Sequence, residues 1–507
     1  MSHPEQNSPQ SPQLLALRSY LQFQKQRNWQ AIRQAEFSPS ADNRLQTHLL
    51  QGVLRHHRWL RVEVEDRCRL PWSKLQDVLQ GILLIGAYEL IFLRSSKQHH
   101  AIHQAVELVR LHRLEARTGL VNAILRQLQR DLQSGLLKPA QRTLANRTSH
   151  PDWMVERWVK SHGAEATEQI CEANNLLPNL TLASSRVEHV ASIRQQLEAI
   201  EIDWEAHPIF PELTLLQKNQ GVWNTVMAKE GMIYAQDASS YAFCHSIRPF
   251  LEGKILDVCS APGGKGLQLS QNFPGQFLLN DVSASRLKKV RQNLQRLNLA
   301  GCMLQSDGTQ LPFLSGSMDG ILLDVPCSST GTIRKSPDIK WVEDLKSLLR
   351  QTELQEKLLR EAVRVVRKGG WIAYSTCSLE PEETQLPLQL CETLGLQTIL
   401  WRELPREIEE TQKGFFGLSG SFLLDSSALN LKIYSKNAQL FFPKIFTQQN
   451  VNFSNVDARI NLDSTGFEQI LSGRFDQLPI NILDLKLSNS DVNIHAYGLW
   501  ILNEHAT

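Results

Sequence analysis

Ile255-Leu256-Asp257-Val258-Cys259-Ser260-Ala261-Pro262-Gly263-Gly264-Lys265 is an apolar run that ends in an acid and gives way to a glycine turn. That order predicts a buried strand, a tight loop and the first turn of a helix, the unit from which an open parallel sheet is built. From about Gln236 to about residue 418, apolar segments alternate with amphipathic ones. Strands are expected at Lys254 to Val258, Gln276 to Asn280, Gly320 to Asp324 and Gly370 to Ser375. Helices are expected at Lys265 to Gln271, Ser285 to Leu297 and Leu348 to Val366. Strands alternating with helices imply an α/β, Rossmann-like region over residues 236–418.

Upstream the periodicity changes. Leu45, Leu49, Leu50, Val53 and Leu54, then Val78, Leu79, Ile82, Leu83 and Ile85, recur at helical spacing, so about residues 12–140 should form an all-helical bundle. Asp42 is a plausible cap of the helix carrying Leu45, and Pro71 with Ser73 should open another. Residues 141–235 read as a connecting region, with helical pieces at Trp153 to Val159 and Ile193 to Ile200 and strands near Leu180 to Leu182 and Ile233 to Ala235. Beyond about Gly420, alternation such as Ile480-Asn481-Ile482-Leu483-Asp484-Leu485 predicts a β-rich tail, residues 419–507, with no assigned function.

Composition narrows the class. A net charge of +2 conceals an uneven distribution: residues 1–150 carry 21 Lys+Arg against 11 Asp+Glu, so the rest of the chain is net acidic. A basic helical end meeting a polyanion is the expectation, with Arg44, Arg55, Arg58, Arg61, Arg94, Lys97, Arg110, Arg113, Arg117 and Arg126 on outer faces; a merely solvated basic surface stays open. Eight scattered cysteines without a CxxC pair argue against zinc and against a disulfide framework, and favour a reducing cytoplasm. Met1 to Gln13, rich in Ser, Pro and Gln, reads as a disordered tail. No apolar stretch is long enough to span a bilayer, and no metal, no membrane and a monomer are expected.

The glycine turn lacks both G-x-G-x-x-G and the P-loop spacing, so a cofactor without phosphates is preferred. Asp281, 24 positions after Asp257, is placed to take ribose hydroxyls, and Asp307 to accept from an adenine amine. Acids at successive strand ends suit S-adenosylmethionine, with Cys259, Ser260, Ala261, Pro262, Gly263, Gly264, Lys265, Asp281, Asp307 and Asp324 as its candidate contacts. Taken singly, each aspartate is as readily a turn or a helix cap. Two cysteines sit in motifs of their own, Asp324-Val325-Pro326-Cys327-Ser328 and Tyr374-Ser375-Thr376-Cys377-Ser378. A thiolate adds readily to an electron-poor ring carbon, and a second thiol can assist its departure.

The strings at Asp257 to Lys265, Leu322 to Trp341 and Tyr374 to Glu383, preceded by Gln236-Asp237-Ala238-Ser239, resemble the RNA cytosine-5 methyltransferases. Gly52-Val53-Leu54-Arg55, Gly86-Ala87-Tyr88-Glu89-Leu90 and Gly119 to Arg126 resemble the domain related to the antitermination factor NusB. The combination is similar to the RsmB (Sun/Fmu) type of 16S ribosomal RNA methyltransferase over about residues 12–418. The resemblance implies that Cys377 attacks C6 of cytosine, that Asp324 hydrogen-bonds or protonates N3 and that Cys327 assists release. Lys265 would contact the base or stabilise the thiolate, and Arg334, Lys335 and Lys340 would reach RNA phosphates or lie in a solvated loop. An unstacked cytosine in 16S rRNA is then the expected substrate. A non-catalytic RNA-binding factor and a methyltransferase of another RNA such as tRNA are the rivals. Two departures stand out: Pro178 to Val187 lacks the family's Pro-Pro and Leu-Arg-Val-Asn, and Lys413-Gly414-Phe415-Phe416 is followed by a long tail that resembles a piece of AsmA-like envelope proteins.

Overall fold

The computed structural model describes residues 11–26, 41–93, 98–137, 142–207, 210–216, 221–400, 429–440, 451–462, 481–487 and 498–502. The chain divides into two units, one of Met1–Asn175 with Ile333–Glu343, the other of Leu176–Thr332 with Asp344–Thr507.

The first unit is helical: α1 (Pro12–Gln26), α2 (Ala41–Glu65), α3 (Asp77–Phe92), α4 (Gln98–Leu111), α5 (Thr118–Gln133), α6 (Asp152–His162) and α7 (Ala164–Asn175). Every residue of α3 from Gly81 to Leu90 is buried, which makes it the central helix of the bundle. By contrast α5 buries one stripe, Val121, Ile124, Leu125 and Leu128. Each such aliphatic side chain contributes about 1.5–3 kcal/mol when fully withdrawn from water.

Several expectations are corrected here. Pro12 and Gln13 belong to α1 rather than to a tail, and Gln13 is buried with its Nε2 donating to Glu89 Oε1 at 2.9 Å. Asp42 falls inside α2, while Pro71 precedes only a 3-10 turn, Trp72–Lys74, before α3 begins at Asp77. Arg61, Arg110, Arg113 and Arg117 are exposed, but Arg55 is buried and donates to Arg334 O at 2.6 Å; burial lowers its guanidinium to about 10. Lys340 is buried too. Its ammonium donates to Arg55 O (2.8 Å), Ser149 O (3.0 Å) and Asn175 Oδ1 (2.7 Å), and burial, with Arg55 adding to it, holds its pKa well below the usual lysine value. Three polar acceptors inside the bundle draw in a side chain that its sequence neighbourhood marks as a surface group. The side chains of Arg44, Arg94 and Lys97 lie outside the described residues, as do Met1 to Gln10 and Lys413 to Phe416.

The second unit begins with a small antiparallel sheet of β1 (Leu180–Ser184), β2 (Glu205–Ala206), β3 (Thr214–Leu216) and β4 (Ile233–Ala235), in the order β2-β3-β1-β4, with α8 (Val190–Ala199) between β1 and β2. The sequence indicates only β1 and β4; β2 and β3, of two and three residues, are defined by their pairing with each other and with β1. After α9 (Ala238–Ile247) comes the main run: β5 (Lys254–Asp257), α10 (Gly264–Ser270), β6 (Gln276–Asn280), α11 (Ala284–Arg296), β7 (Cys302–Leu304), β8 (Met318–Asp324), α12 (Leu345–Val365), β9 (Val366–Ser375), α13 (Pro381–Thr384) and β10 (Leu396–Leu400). The tail adds β11 (Leu429–Leu440), β12 (Val451–Leu462) and β13 (Asn481–Leu487), which form their own antiparallel sheet, and β14 (Gly498–Leu502).

The seven-stranded sheet runs β10-β14-β9-β8-β5-β6-β7, parallel from β9 to β7, with β14 antiparallel to both its neighbours. Residues 498–502, far along the tail, thus pair within this sheet. Neighbouring residues on a strand enter different cores: Ile255, Leu322 and Ala373 join one cluster, Leu256, Ile321, Leu323 and Ile372 the other. Both faces are covered, hence the unbroken apolar runs in the sequence. From β5 the chain passes to β6 and β7 on one side and then returns to β8 and β9 on the other. The switch point lies between β5 and β8, where open sheets of this kind bind ligands at the carboxyl ends of their strands. Among the described residues no helix is long and apolar enough to cross a membrane, and no cluster of His, Cys, Asp and Glu could hold a metal ion.

Candidate active site at the carboxyl edge of the sheet

Asp257 closes β5 and is buried, as is Ser260 in the loop that follows. Among the described residues Asp257 Oδ1 and Ser260 Oγ have no hydrogen-bond partner. Burial, reinforced by the nearby Asp324, pushes the Asp257 carboxyl well above the usual carboxylate range. Gly263 caps α10 with φ +112°, a backbone conformation that disfavours a side chain, and Gly266 lies so close to β5 that a Cβ there would stand 2.4 Å from Asp257 Oδ2. Burial, then Asp257, raises the Cys259 thiol, so this cysteine stays protonated. Asp281 Oδ2 accepts from Ala261 N at 3.3 Å and its Oδ1 from Ser283 N at 2.9 Å, while Arg286 Nη2 donates to Ala261 O at 2.5 Å and Asn293 Nδ2 to Pro262 O at 3.3 Å. The acid beyond β6 thus braces the loop. Asp307 is exposed, and its Oδ1 accepts from Thr309 N and Oγ1 at 2.9 and 2.8 Å, which lowers its carboxyl.

Sequence reasoning missed Asn280. Its Nδ2 donates to Val258 O (2.9 Å) and Ser306 O (3.2 Å), and its Oδ1 accepts from Ser306 N (3.0 Å) and Oγ (2.8 Å), stitching together three strand ends. A buried amide at the end of an apolar strand, Leu278-Leu279-Asn280, was the available signal. Unpartnered buried oxygens, a close glycine approach and acidic surroundings fit a cationic adenosyl ligand better than a phosphate group, which would need a cradle of free N–H donors.

At the neighbouring strand ends lie the reactive groups. Lys265, one residue into α10, donates from Nζ to Asp324 Oδ2 at 2.7 Å. Burial alone would lower this ammonium, but the adjacent Asp324 outweighs it and the net shift is upward. Past the ends of β8 and β9, Val325 N donates to Ser375 O, and Gly331 N to Cys377 O at 2.9 Å, so the two motif loops stay side by side. Cys327 and Cys377, both free, meet with their Sγ atoms 3.2 Å apart, and Ser329 Oγ lies 3.4 Å from Cys377 Sγ. The hydrogen bond between the thiols separates them electrostatically. It lowers Cys377 and raises Cys327 well above an ordinary thiol, with burial and the Cys377 charge adding to the latter. Cys377 is thus the readier of the two to ionise, with Cys327 placed as the donor to it. Ser329 holds φ +58°, a left-handed conformation that costs a non-glycine residue about 1–2 kcal/mol.

Of the residues expected at the site, Lys265, Asp324, Cys327 and Cys377 converge on adjacent strand ends, where Asp257 joins them. Asp281 and Asp307 spend at least one oxygen each on backbone donors. Lys340 takes no part in the exposed loop expected for it.

Residues 245–413 match the family described as 16S rRNA methyltransferase RsmB/F, residues 10–130 the NusB family, and residues 150–222 the RsmF/B-like ferredoxin-like domain. The chain is 33% identical over 351 residues to the ribosomal RNA small subunit methyltransferase B of Yersinia pseudotuberculosis serotype O:1b, covering 68% of this chain and 80% of that protein. The protein of that name from Yersinia pestis bv. Antiqua (strain Angola) matches to the same extent. The solved structure titled PH0851 superposes with a TM-score of 0.64 at 19% identity, over 79% of this chain and 93% of that one, a likeness of fold.

Proposed function

Because the chain belongs to the RsmB/F family of 16S rRNA methyltransferases, we propose that it methylates C5 of a cytosine in 16S ribosomal RNA through a transient bond between Cys377 and C6 of the base. The observation that carries this reading is the 3.2 Å contact between two thiols of opposite protonation tendency, beside the Lys265–Asp324 pair.

C5 of cytosine is a weak nucleophile. Addition of the Cys377 thiolate at C6 turns the ring into an enamine whose C5 attacks an electrophile. Asp324 would relay a proton to N3 as charge develops there, drawn from the Lys265 ammonium bonded to it, and return it when the adduct collapses. S-Adenosylmethionine, the methyl donor of the family, supplies an electrophilic methyl group when bound; Asp257, Ser260, Gly263 and Asp281 would hold it. Once Cys377 is a thioether it no longer carries charge or needs a donor, so the largest cause that keeps Cys327 protonated, the hydrogen bond to Cys377, disappears together with the Cys377 charge, and burial alone of the three main causes remains. Cys327 can then ionise and take the proton from C5. The electrons of the C–H bond restore the C5–C6 double bond, and the Cys377 thiolate departs. The basic helical unit suits a polyanion, and the absence of disulfides suits a cytoplasmic enzyme.

The test is direct. Cys377→Ala should give no transfer of tritium from labelled cofactor into RNA yet retain cofactor binding, whereas Cys327→Ala should accumulate an RNA–protein adduct stable in denaturing gels. Bisulfite sequencing of 16S rRNA from cells with and without the gene should lose one protected cytosine. Absence of tritium transfer by the wild type would favour the binding-factor rival, and a lost cytosine in tRNA the other.

A further inference from the structure

The residue after each reactive thiol is a serine, and Ser328 and Ser378 place their hydroxyls 2.9 Å apart. Behind them lies Glu383, in α13 and fully buried. Its carboxylate accepts from Ser328 N at 2.9 and 3.2 Å, from Ser328 Oγ, and from Gln355 Nε2 at 2.9 Å. Among the described residues no Lys, Arg or His forms an ion pair with it. Gln355, on α12, is itself fixed: Nε2 also donates to Pro326 O at 2.8 Å, and Oε1 accepts from Tyr374 OH at 3.0 Å. The peptide bonds on both sides of Cys327 are thus gripped, Pro326 through Gln355 and Ser328 through Glu383.

A buried carboxylate satisfied only by neutral donors is costly to the fold, and packing alone would favour an apolar residue there. Its donors are directional, and they act on the one loop that must hold a second thiol against the first. The strained Ser329 follows directly and needs a neighbour that is fixed. Glu383 also stands close enough to help keep the Cys327 thiol protonated, alongside the larger effects of Cys377 and burial.

We propose that Glu383 is a positioning residue for product release: by holding the backbone and hydroxyl of Ser328 it sets Cys327 at the distance from Cys377 at which it can take the C5 proton of the methylated base. The proposal rests on the two-cysteine reading above. It assigns Glu383 to resolution of the covalent intermediate rather than to its formation.

Glu383→Gln keeps one carbonyl acceptor but turns an amide donor either toward Ser328 Oγ or toward Gln355 Nε2, and both sides carry Ser328 N. With the full chain, 16S rRNA and tritiated cofactor, multiple turnover should fall roughly tenfold, the loss expected for one charge-assisted hydrogen bond. First-turnover methyl incorporation should fall less than about threefold, and the fraction of RNA in denaturant-stable adduct should rise. Ser328→Ala, which removes one donor and leaves the buried carboxylate in place, should move the same ratio in the same direction by less, and serves if Glu383→Gln lowers the melting temperature. Parallel loss of first and later turnovers without extra adduct, or wild-type behaviour of both variants, overturns the positioning role. Cys327→Ala is measured alongside. Adduct in that variant but not in the other two refutes the role of Glu383 alone, whereas no adduct in Cys327→Ala refutes the two-cysteine reading and this proposal with it.

Discussion

Replacing Cys327 by alanine should raise the pKa of Cys377, and the size of the change follows from the contact between them. The Cys327 S–H lies 3.2 Å from Cys377 Sγ and is the largest cause of the lowered Cys377 pKa, with Ser329 a smaller one. A hydrogen bond to a charged group contributes about 1.5–3 kcal/mol, so loss of the donor should destabilise the Cys377 thiolate by about that much and move its pKa upward. Removing a donor destabilises only the anion, hence the upward sign. At pH values below both midpoints that corresponds to a thiolate fraction smaller by roughly ten- to a hundredfold. The assay is the rate of iodoacetamide alkylation against pH, with peptide mass spectrometry to assign the label to Cys377. Ser329→Ala, read the same way, should move the midpoint upward by less. An unchanged or lowered midpoint in Cys327→Ala would refute the assignment of Cys377 as the thiolate of the pair.

Two other expectations concern the cofactor loop and the helical unit. Gly266→Ala would put a methyl group 2.4 Å from Asp257 Oδ2 and 2.7 Å from Leu279 Cδ2; overpacking of this kind costs about 1–3 kcal/mol, so S-adenosylmethionine should bind at least several-fold more weakly by calorimetry, and unaltered affinity would show that the β5–α10 approach does not shape the site. Lys340→Met removes the donor shared by Arg55 O, Ser149 O and Asn175 Oδ1 and should lower the melting temperature. The folded chain holds Lys340 below its unfolded pKa, so between those two values the unfolded state binds more protons and wild-type stability gains with rising pH. The variant lacks that gain, so urea unfolding should show the stability difference widening toward alkaline pH, and a constant difference would argue against the lowered Lys340 pKa.

Local chemistry made much of this protein legible in advance. β6 and β4 fall on the residues expected, and β5, β8, α10, α11 and α12 within a few, because buried parallel strands and amphipathic helices write their burial into consecutive residues. The glycine loop and both cysteine motifs are contiguous strings, so they too could be read directly. Apart from β4, the strands of two or three residues could not: β2, β3 and β7 owe their existence to partners distant in the sequence.

What the chain alone determined is the inventory, namely a basic helical bundle, an α/β sheet, a loop suited to an adenosyl cation and two thiols in polar surroundings. Only the tertiary structure decided which groups act on one another. Residues 50 positions apart become a hydrogen-bonded thiol pair because β8 and β9 are adjacent and parallel. The same packing gives Asp324 its partner Lys265, 59 positions upstream, and sets Glu383 under a serine 55 positions before it. Lys340, by sequence a surface cation, is taken into the bundle by three acceptors that no local pattern announces. Burial and protonation depend on distance through space, and that distance is fixed only when the sheet and the bundle have formed.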